Sequence, residues 1–333
     1  MTPPTGSTAK SFREEFQNDS KHTQESAQLY QRIEECPLCS SKNYEIIRSE
    51  EHEFPKGNPY FLTYAKDKIY LKKCTDCEFA FVDKLPKSKE FYDQIYTDLK
   101  PNWEIEFYHH GKKAINQEIK QMLLKYTYGD NLLDVGSWAG AFLNEVQDKF
   151  KVQGVELNPA GAKFANSKGI KVHNTSFHDT KFEPEQFDVI TFTDVLEHLP
   201  NPGQILKKAT ELLKKGGLIY VKVPHYKAQM EKQNILKTLG LSDLGIMQNY
   251  VHINHFTRKS LSQNLRKQGC TILESGFTGA EVWDLSVKAA PIEYTKRIFR
   301  NFGANLITGT INTLATLTGT ELGLNLYVLA RKN

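Results

Sequence analysis

The sequence predicts an α/β protein with a Rossmann-like, seven-stranded, mostly parallel sheet flanked by helices, preceded by a small cysteine-bearing domain. From residue 130 onward, short apolar runs alternate with stretches of ten to fifteen residues that show helical spacing. This alternation is typical of parallel strands joined by helical crossovers. A strand–glycine–helix pattern opens the region at residues 132–143, and two Cys-x-x-Cys pairs lie ahead of it.

The predicted elements follow one another in a regular order. Seven apolar runs predict strands at residues 131–135, 151–156, 170–173, 187–193, 217–223, 271–276 and 322–330. Helical spacing predicts helices up to residue 150, at 158–168, at 203–214 and at 257–267. The chain therefore divides into a disordered segment (1–33), a cysteine-bearing domain (34–84), a helical connector or lid (85–129) and the α/β domain (130–333). Residues 285–318 fit the alternation poorly and suggest a helical insertion that covers the sheet or contacts a partner or membrane surface.

Composition excludes several classes of protein. Aliphatic and aromatic residues make up 39% of the chain and charged residues 25%, which is typical of a globular protein. No apolar run is long enough for a membrane-spanning helix, and residues 1–21 lack the apolar core of a secretory signal. We therefore expect a cytoplasmic protein. The net charge of +4 is spread over the chain and favours a solvated surface over a nucleic-acid footprint.

Four of the five cysteines form a metal-ligand pattern. The two Cys-x-x-Cys pairs are Cys36/Cys39 and Cys74/Cys77, while Cys270 stands alone at the start of a predicted strand. Because disulfides are improbable in the cytoplasm, the pairs favour metal binding. Four thiolates suit tetrahedral Zn²⁺ and leave no ligand position for water, so the sequence predicts a structural zinc site. Cys270 is expected to be a buried apolar residue.

The glycine loop predicts an adenosine-type cofactor site. Gly136 permits a sharp turn and Gly140 a close approach between turn, helix and sheet. The start of the next helix offers free N–H groups to an anionic ligand, as dinucleotide sites also do. Glu156 ends the second predicted strand, where a carboxylate accepts hydrogen bonds from ribose hydroxyls.

The α/β region resembles the class I S-adenosylmethionine (SAM)-dependent methyltransferases over residues 130–277. Asp134, Gly136 and Gly140 match the family's acid and spaced glycines, and Glu156 matches its ribose-binding acid. Residues 187–199 resemble the fourth-strand block that ends in Glu-His, and residues 216–221 the following turn and fifth strand. One departure is Trp138, where the family often has glycine. The resemblance implies SAM-dependent methyl transfer and the following cofactor-contacting residues: Asp134, Gly136, Ser137, Gly140, Glu156, Leu157, Ser176, Phe177 and Asp194.

Two groups of methyltransferases carry a similar cysteine domain. One resembles sugar methyltransferases that act on nucleotide-linked deoxysugars, and the other resembles ribosomal RNA guanine methyltransferases. The stretch 45–60 contains four glutamates, which disfavour phosphate-rich RNA. The sequence thus favours a small-molecule acceptor, with an RNA methyltransferase and a non-catalytic scaffold as alternatives; the oligomeric state stays open.

Candidate catalytic groups are histidines that follow predicted strands. His225 is the first candidate for a general base because the fifth strand ends just before it. The remaining candidates are His198, His252 and His255. Each also has a structural interpretation as an ordinary loop imidazole.

Overall fold

The structure is a computed structural model. This structure describes residues 14–17, 29–51, 68–89, 91–92, 96, 112–238, 251–278 and 323–333. The predicted insertion at 285–318 lies outside these residues, as does most of the connector before residue 112.

A seven-stranded sheet forms the centre of the molecule. Its strands are β6 (Asn131–Val135), β7 (Lys151–Glu156), β8 (Val172–Asn174), β9 (Phe187–Thr193), β10 (Leu213–Pro224), β12 (Cys270–Phe277) and β13 (Asn325–Lys332). The spatial order is β12-β13-β10-β9-β6-β7-β8. Strands β8, β7, β6, β9 and β10 pair in parallel, whereas β13 runs antiparallel to both β10 and β12. The predicted Rossmann-like fold is confirmed.

Helices cover both faces of this sheet. They are α1 (Lys113–Tyr126), α2 (Ala141–Val146), α3 (Pro159–Ser167), α4 (Pro202–Leu212), α5 (Tyr226–Thr238) and α6 (Arg258–Lys267). Neighbouring residues Leu132 and Leu133 of β6 belong to separate apolar clusters, as the alternation of side chains along a strand requires. The cluster around Leu132 includes residues of α1, α2 and α3, and the cluster around Leu133 includes residues of α4 and α6.

A second, four-stranded sheet carries the cysteine pairs. It contains β2 (Tyr44–Glu51), β3 (Lys68–Cys74), β4 (Ala80–Val82) and β11 (Asn254–His255), in the order β11-β4-β3-β2. Two short strands, β1 (Tyr30–Arg32) and β5 (Lys84–Pro86), pair beside it. The cysteines and the two phenylalanines near them belong to the same apolar cluster as the centre of the large sheet. The two sheets therefore share one core.

This packing alters the predicted boundaries of the cysteine-bearing domain. Residues 30–32, placed by sequence in the disordered segment, form β1 because Tyr30 is buried against Ile69, Val82 and Leu85. At the other end, β11 joins the sheet from more than 160 residues away along the chain. The range 34–84 thus omits strands that complete the structure around the cysteines.

Most predicted strands in the large sheet agree with the observed ones. β6, β7 and β9 coincide with their predicted ranges. β10 begins four residues earlier than predicted, because Leu213 pairs with Phe187 ahead of a register shift. The third strand begins two residues later and ends one residue later than predicted, and the last strand begins three later and ends two later. Cys270 begins β12 and is buried, as predicted.

Candidate functional site

The loop after β6 is a tight turn with two glycines in left-handed conformation. Gly136 has φ +74°, and a Cβ added there would lie 2.3 Å from Cγ2 of Val195. Gly140 has φ +75° and immediately precedes α2. The N–H groups of Gly136 and Ser137 both donate to the Val155 carbonyl, which ties the loop to the end of β7. Only glycine fits at position 136 without displacing Val195.

Trp138 keeps the backbone conformation that the family's glycine would favour. Its φ is +47°, and its N–H donates to Glu156 Oε2 at 2.8 Å. The indole lies against the first turn of α3, where a Cβ added to Gly161 would be 3.0 Å from Cε3. The tryptophan therefore does not unfold the turn. Its side chain packs toward α3, and its N–H bonds the turn to Glu156 at the end of β7.

Glu156 occupies the carboxyl end of β7, next to the glycine turn. Its Oε1 accepts from the Asn158 N–H at 2.6 Å, while Oε2 accepts from Trp138. The side chain is almost fully buried, and this burial raises the pKa of Glu156. Each oxygen retains a second lone pair with which to accept a hydroxyl. The carboxylate is thereby held in a fixed position at the edge where a ribose is predicted.

Asp134 is buried within β6 and accepts a hydrogen bond from the Thr191 hydroxyl at 2.6 Å. Burial raises the pKa of Asp134 to about 7. A cation next to this carboxyl would lower that pKa, because an opposite charge favours the ionised form. The methionine half of SAM carries such charges on its amino and sulfonium groups.

The remaining predicted cofactor residues differ in position. Leu157 is an exposed apolar side chain directly after Glu156. The Ser176 hydroxyl donates a hydrogen bond to the Asp179 carboxylate at the surface. Ser137 is buried with its hydroxyl directed at β7, close to Gly154. The Phe177 ring packs against Phe192 in the core, and contact between Phe177 and a cofactor stays a prediction.

Asp194, at the end of β9, is the centre of a charged cluster. Its carboxylate accepts from Lys112 at 2.9 Å and from Lys222 at 2.8 Å. Burial alone raises the pKa of Asp194, but the two ammonium groups outweigh it and hold that pKa well below its usual range. Neither lysine was predicted from the sequence to lie at the site. For Lys222, which is 0% exposed, the signal was a lysine within the apolar run of β10.

The four paired cysteines converge on one point. Their sulfur atoms all lie within 4.8 Å of one another, with Cys36–Cys77 at 3.7 Å and Cys39–Cys74 at 3.6 Å. A tetrahedral zinc with bonds of about 2.3 Å separates its sulfur ligands by about 3.8 Å. The distances are too long for disulfides, whose S–S bond is about 2.05 Å. The donor set and its spacing therefore fit the predicted ion.

The structure separates the four candidate histidines into different environments. His198 and His252 lie together, with ring centroids 4.9 Å apart, close to the Asp194 cluster. His255 is buried beside Tyr226, and burial lowers its pKa to about 3. His225 is fully buried, with Nδ1 3.1 Å from the Gly323 carbonyl and its ring against Phe277. His225 is thus enclosed among the described residues, and its role as a general base stays a prediction.

Comparison with known proteins identifies the family. The sequence profile of a methyltransferase domain family, Methyltransf_23, matches residues 107–275, a range that includes the glycine turn, Glu156 and the charged cluster. The chain belongs to this methyltransferase family. Within that family SAM is the methyl donor, as the resemblance implied.

Individual relatives share part of the α/β region. An uncharacterised protein of Methanocaldococcus jannaschii is 34% identical over 27% of this chain and 42% of its own length. A ubiquinone biosynthesis O-methyltransferase of Pseudomonas fluorescens is 31% identical over 28% of this chain and 43% of its own length. The chain thus spans less than half the length of these curated relatives.

Two solved structures are similar to part of this chain. A SAM-dependent methyltransferase from Mesorhizobium loti is 14% identical and covers 65% of this chain and 96% of its own, with a TM-score of 0.43. One from Archaeoglobus fulgidus is 13% identical and covers 74% and 100%, with a TM-score of 0.44. None of the described helices combines the length and apolarity needed to cross a membrane.

Proposed function

We propose that this protein transfers a methyl group from SAM to a small-molecule acceptor. The observation that supports this best is the fixed relation between the glycine turn and Glu156, joined by the hydrogen bond from the Trp138 N–H. In this arrangement Glu156 accepts the ribose hydroxyls, and the turn carries the methionine half past Gly136. Asp134 lies beneath the turn and balances the positive charge of the donor.

Methyl transfer requires little acid–base chemistry from the protein. SAM, when bound, supplies an activated methyl group on a sulfonium. The residues of the turn fix its direction, and alignment of the acceptor with the methyl carbon provides most of the rate. The Lys112–Asp194–Lys222 cluster holds the end of β9 rigid beside this position.

The location of the four-stranded sheet supports a small acceptor bound between the two sheets. β4 pairs with β11, and the residue after β11, Phe256, forms a bridge with His225 at the end of β10. The cysteine-bearing sheet is therefore attached at the same edge of the large sheet as the proposed donor. A nucleotide-linked sugar is our first candidate acceptor, and the O-methyltransferase relatives support an oxygen as the accepting atom.

We infer that zinc bound by Cys36, Cys39, Cys74 and Cys77 has a structural role. The four thiols fill every position of a tetrahedral ion, and the surrounding residues are part of the shared core. Zinc there holds β3 and the strands around it against α4, where the Gly203 N–H donates to the Pro37 carbonyl. It thereby positions the sheet that faces the acceptor.

A labelled-methyl assay on the full chain tests the proposed function. Nucleotide-linked sugars, hydroxylated small molecules and total RNA are supplied separately with SAM, and a Glu156→Ala variant serves as the control. We expect label in a small-molecule fraction and none with the variant. RNA is included because Lys73 pairs with Glu45 and so offsets part of the negative charge that disfavours RNA. Label in RNA would contradict the acceptor, and SAM binding without any transfer would favour the scaffold.

A further inference from the structure

A second cluster of potential metal ligands lies beside the proposed SAM site. Among the described residues, the cluster consists of Glu197, His198 and His252, whose ligand atoms all lie within 4.8 Å of one another. Glu197 and His198 belong to the 3-10 turn that follows β9, and His252 lies just before β11. The two sheets thus bring these three side chains together from positions more than fifty residues apart.

The hydrogen bonding of His198 leaves one ring nitrogen directed at the cluster. Nδ1 lies 2.8 Å from the Val251 carbonyl, which can only accept, so Nδ1 carries the proton. Nε2 then has a free lone pair and lies 3.8 Å from Glu197 Oε1. A histidine that donates from one nitrogen to a backbone carbonyl and presents the other is the usual arrangement of a metal ligand.

Glu197 supplies a second and independent observation. Its side chain is 2% exposed, and no hydrogen-bond partner for Oε2 occurs in the part of the chain that the structure describes. A buried carboxylate oxygen without a partner is costly, which points to a ligand at this position.

We propose that Glu197, His198 and His252 bind a divalent transition-metal ion that coordinates a hydroxyl oxygen of the acceptor. The nearby ammonium groups of Lys112 and Lys222 repel a cation at the cluster, so a bound ion must form strong bonds to the two imidazoles. The site should therefore select transition-metal ions over Mg²⁺ or Ca²⁺. Three protein ligands leave coordination positions open for the acceptor, unlike the four-cysteine site.

The position of the cluster fits this role. Val195, two residues before Glu197, lies against Gly136 of the glycine turn. An ion at the cluster lowers the pKa of a bound hydroxyl. The hydroxyl proton passes to solvent, the oxygen forms a bond to the methyl carbon, and the carbon–sulfur bond breaks with its electrons kept on sulfur. This role depends on the proposed function, whereas binding of the ion depends only on the three side chains.

Titration of the zinc-loaded full chain with Co²⁺ tests the site directly. We expect the visible absorption of cobalt bound by nitrogen and oxygen, without the charge-transfer band that thiolate ligands produce. Glu197→Gln and His252→Ala should each weaken cobalt binding by at least about tenfold, since loss of even an outer-shell partner costs about 10–100-fold. His173→Ala is the matched control, because this histidine lies on β8 at the far edge of the sheet and bonds to Gln153.

SAM binding measured on the same samples separates the two proposals. Unchanged SAM affinity in Glu197→Gln, together with lost cobalt binding, is the expected result. Failure of the wild-type protein to bind SAM would count against the proposed function and leave the cobalt result intact. Absence of the nitrogen–oxygen cobalt spectrum in the wild type, or an equal spectrum in Glu197→Gln and His252→Ala, would overturn the metal site.

Discussion

Replacement of Gly136 by alanine perturbs the glycine turn at its most crowded point. The left-handed φ of +74° costs a non-glycine residue about 1–2 kcal/mol. The new Cβ also lies 2.3 Å from Val195 Cγ2, and overpacking of this kind costs about 1–3 kcal/mol. We therefore expect Gly136→Ala to lower the free energy of unfolding by about 2–5 kcal/mol and to weaken SAM binding.

Gly169→Ala provides a matched control for the backbone cost. Gly169 has φ +80°, yet a Cβ added there meets nothing within 4 Å. This variant should lose only the conformational share, about 1–2 kcal/mol, and should bind SAM normally. Urea unfolding of the three proteins, with calorimetric titration of SAM, measures both quantities. The reasoning would be refuted if Gly136→Ala were no less stable than Gly169→Ala and bound SAM equally well.

Further predictions concern Asp134 and the cysteines. Because the pKa of Asp134 is about 7 in the folded protein and about 3.9 in an unfolded chain, the contribution of Asp134 to stability without SAM should become less favourable as the pH rises from about 4 to about 7 and stay level above. Asp134→Asn should remove this contribution, stabilise the protein at pH 8 by up to about 4 kcal/mol and weaken SAM binding; an unchanged pH profile of urea unfolding would contradict the assignment. Purified protein should contain about one zinc per chain. Cys74→Ser should lose the metal and melt at a lower temperature, whereas Cys270→Ser, a change at another buried thiol, should keep its zinc content. Metal analysis that finds equal zinc in the two variants, or none in the wild type, would disprove the four-cysteine site.

The sequence contained enough local information to predict most of the large sheet. β6 and β9 are largely apolar runs bounded by polar residues or glycine, and the ranges of β6, β7 and β9 depend on neighbours within a few positions. The prediction of the cofactor loop was equally local, because Gly136 and Gly140 lie just after β6 and Glu156 is the last residue of β7. Thr257 caps the start of α6, and its hydroxyl accepts from the Ser260 N–H.

Features that depend on distant parts of the chain were not predictable in the same way. The recruitment of β11 to the cysteine-bearing sheet and the burial of β1 arise from tertiary packing, which leaves no periodic signal in so short a strand. The burial of His225 is another such feature, because it arises from contact with Gly323 and Leu324 just before β13. Similarly, Lys222 and Lys112 acquire a role only when Asp194 meets both of them.

Calorimetric titration of SAM into the wild-type protein and into Glu156→Ala is the most direct test of cofactor binding at the glycine turn. We expect saturable binding of about one SAM per chain in the wild type, at the strand ends beside this turn. We expect the loss of binding in Glu156→Ala, with the folded structure retained by circular dichroism. Equal affinity in the two proteins, or no binding to the wild type, would contradict the proposed cofactor site.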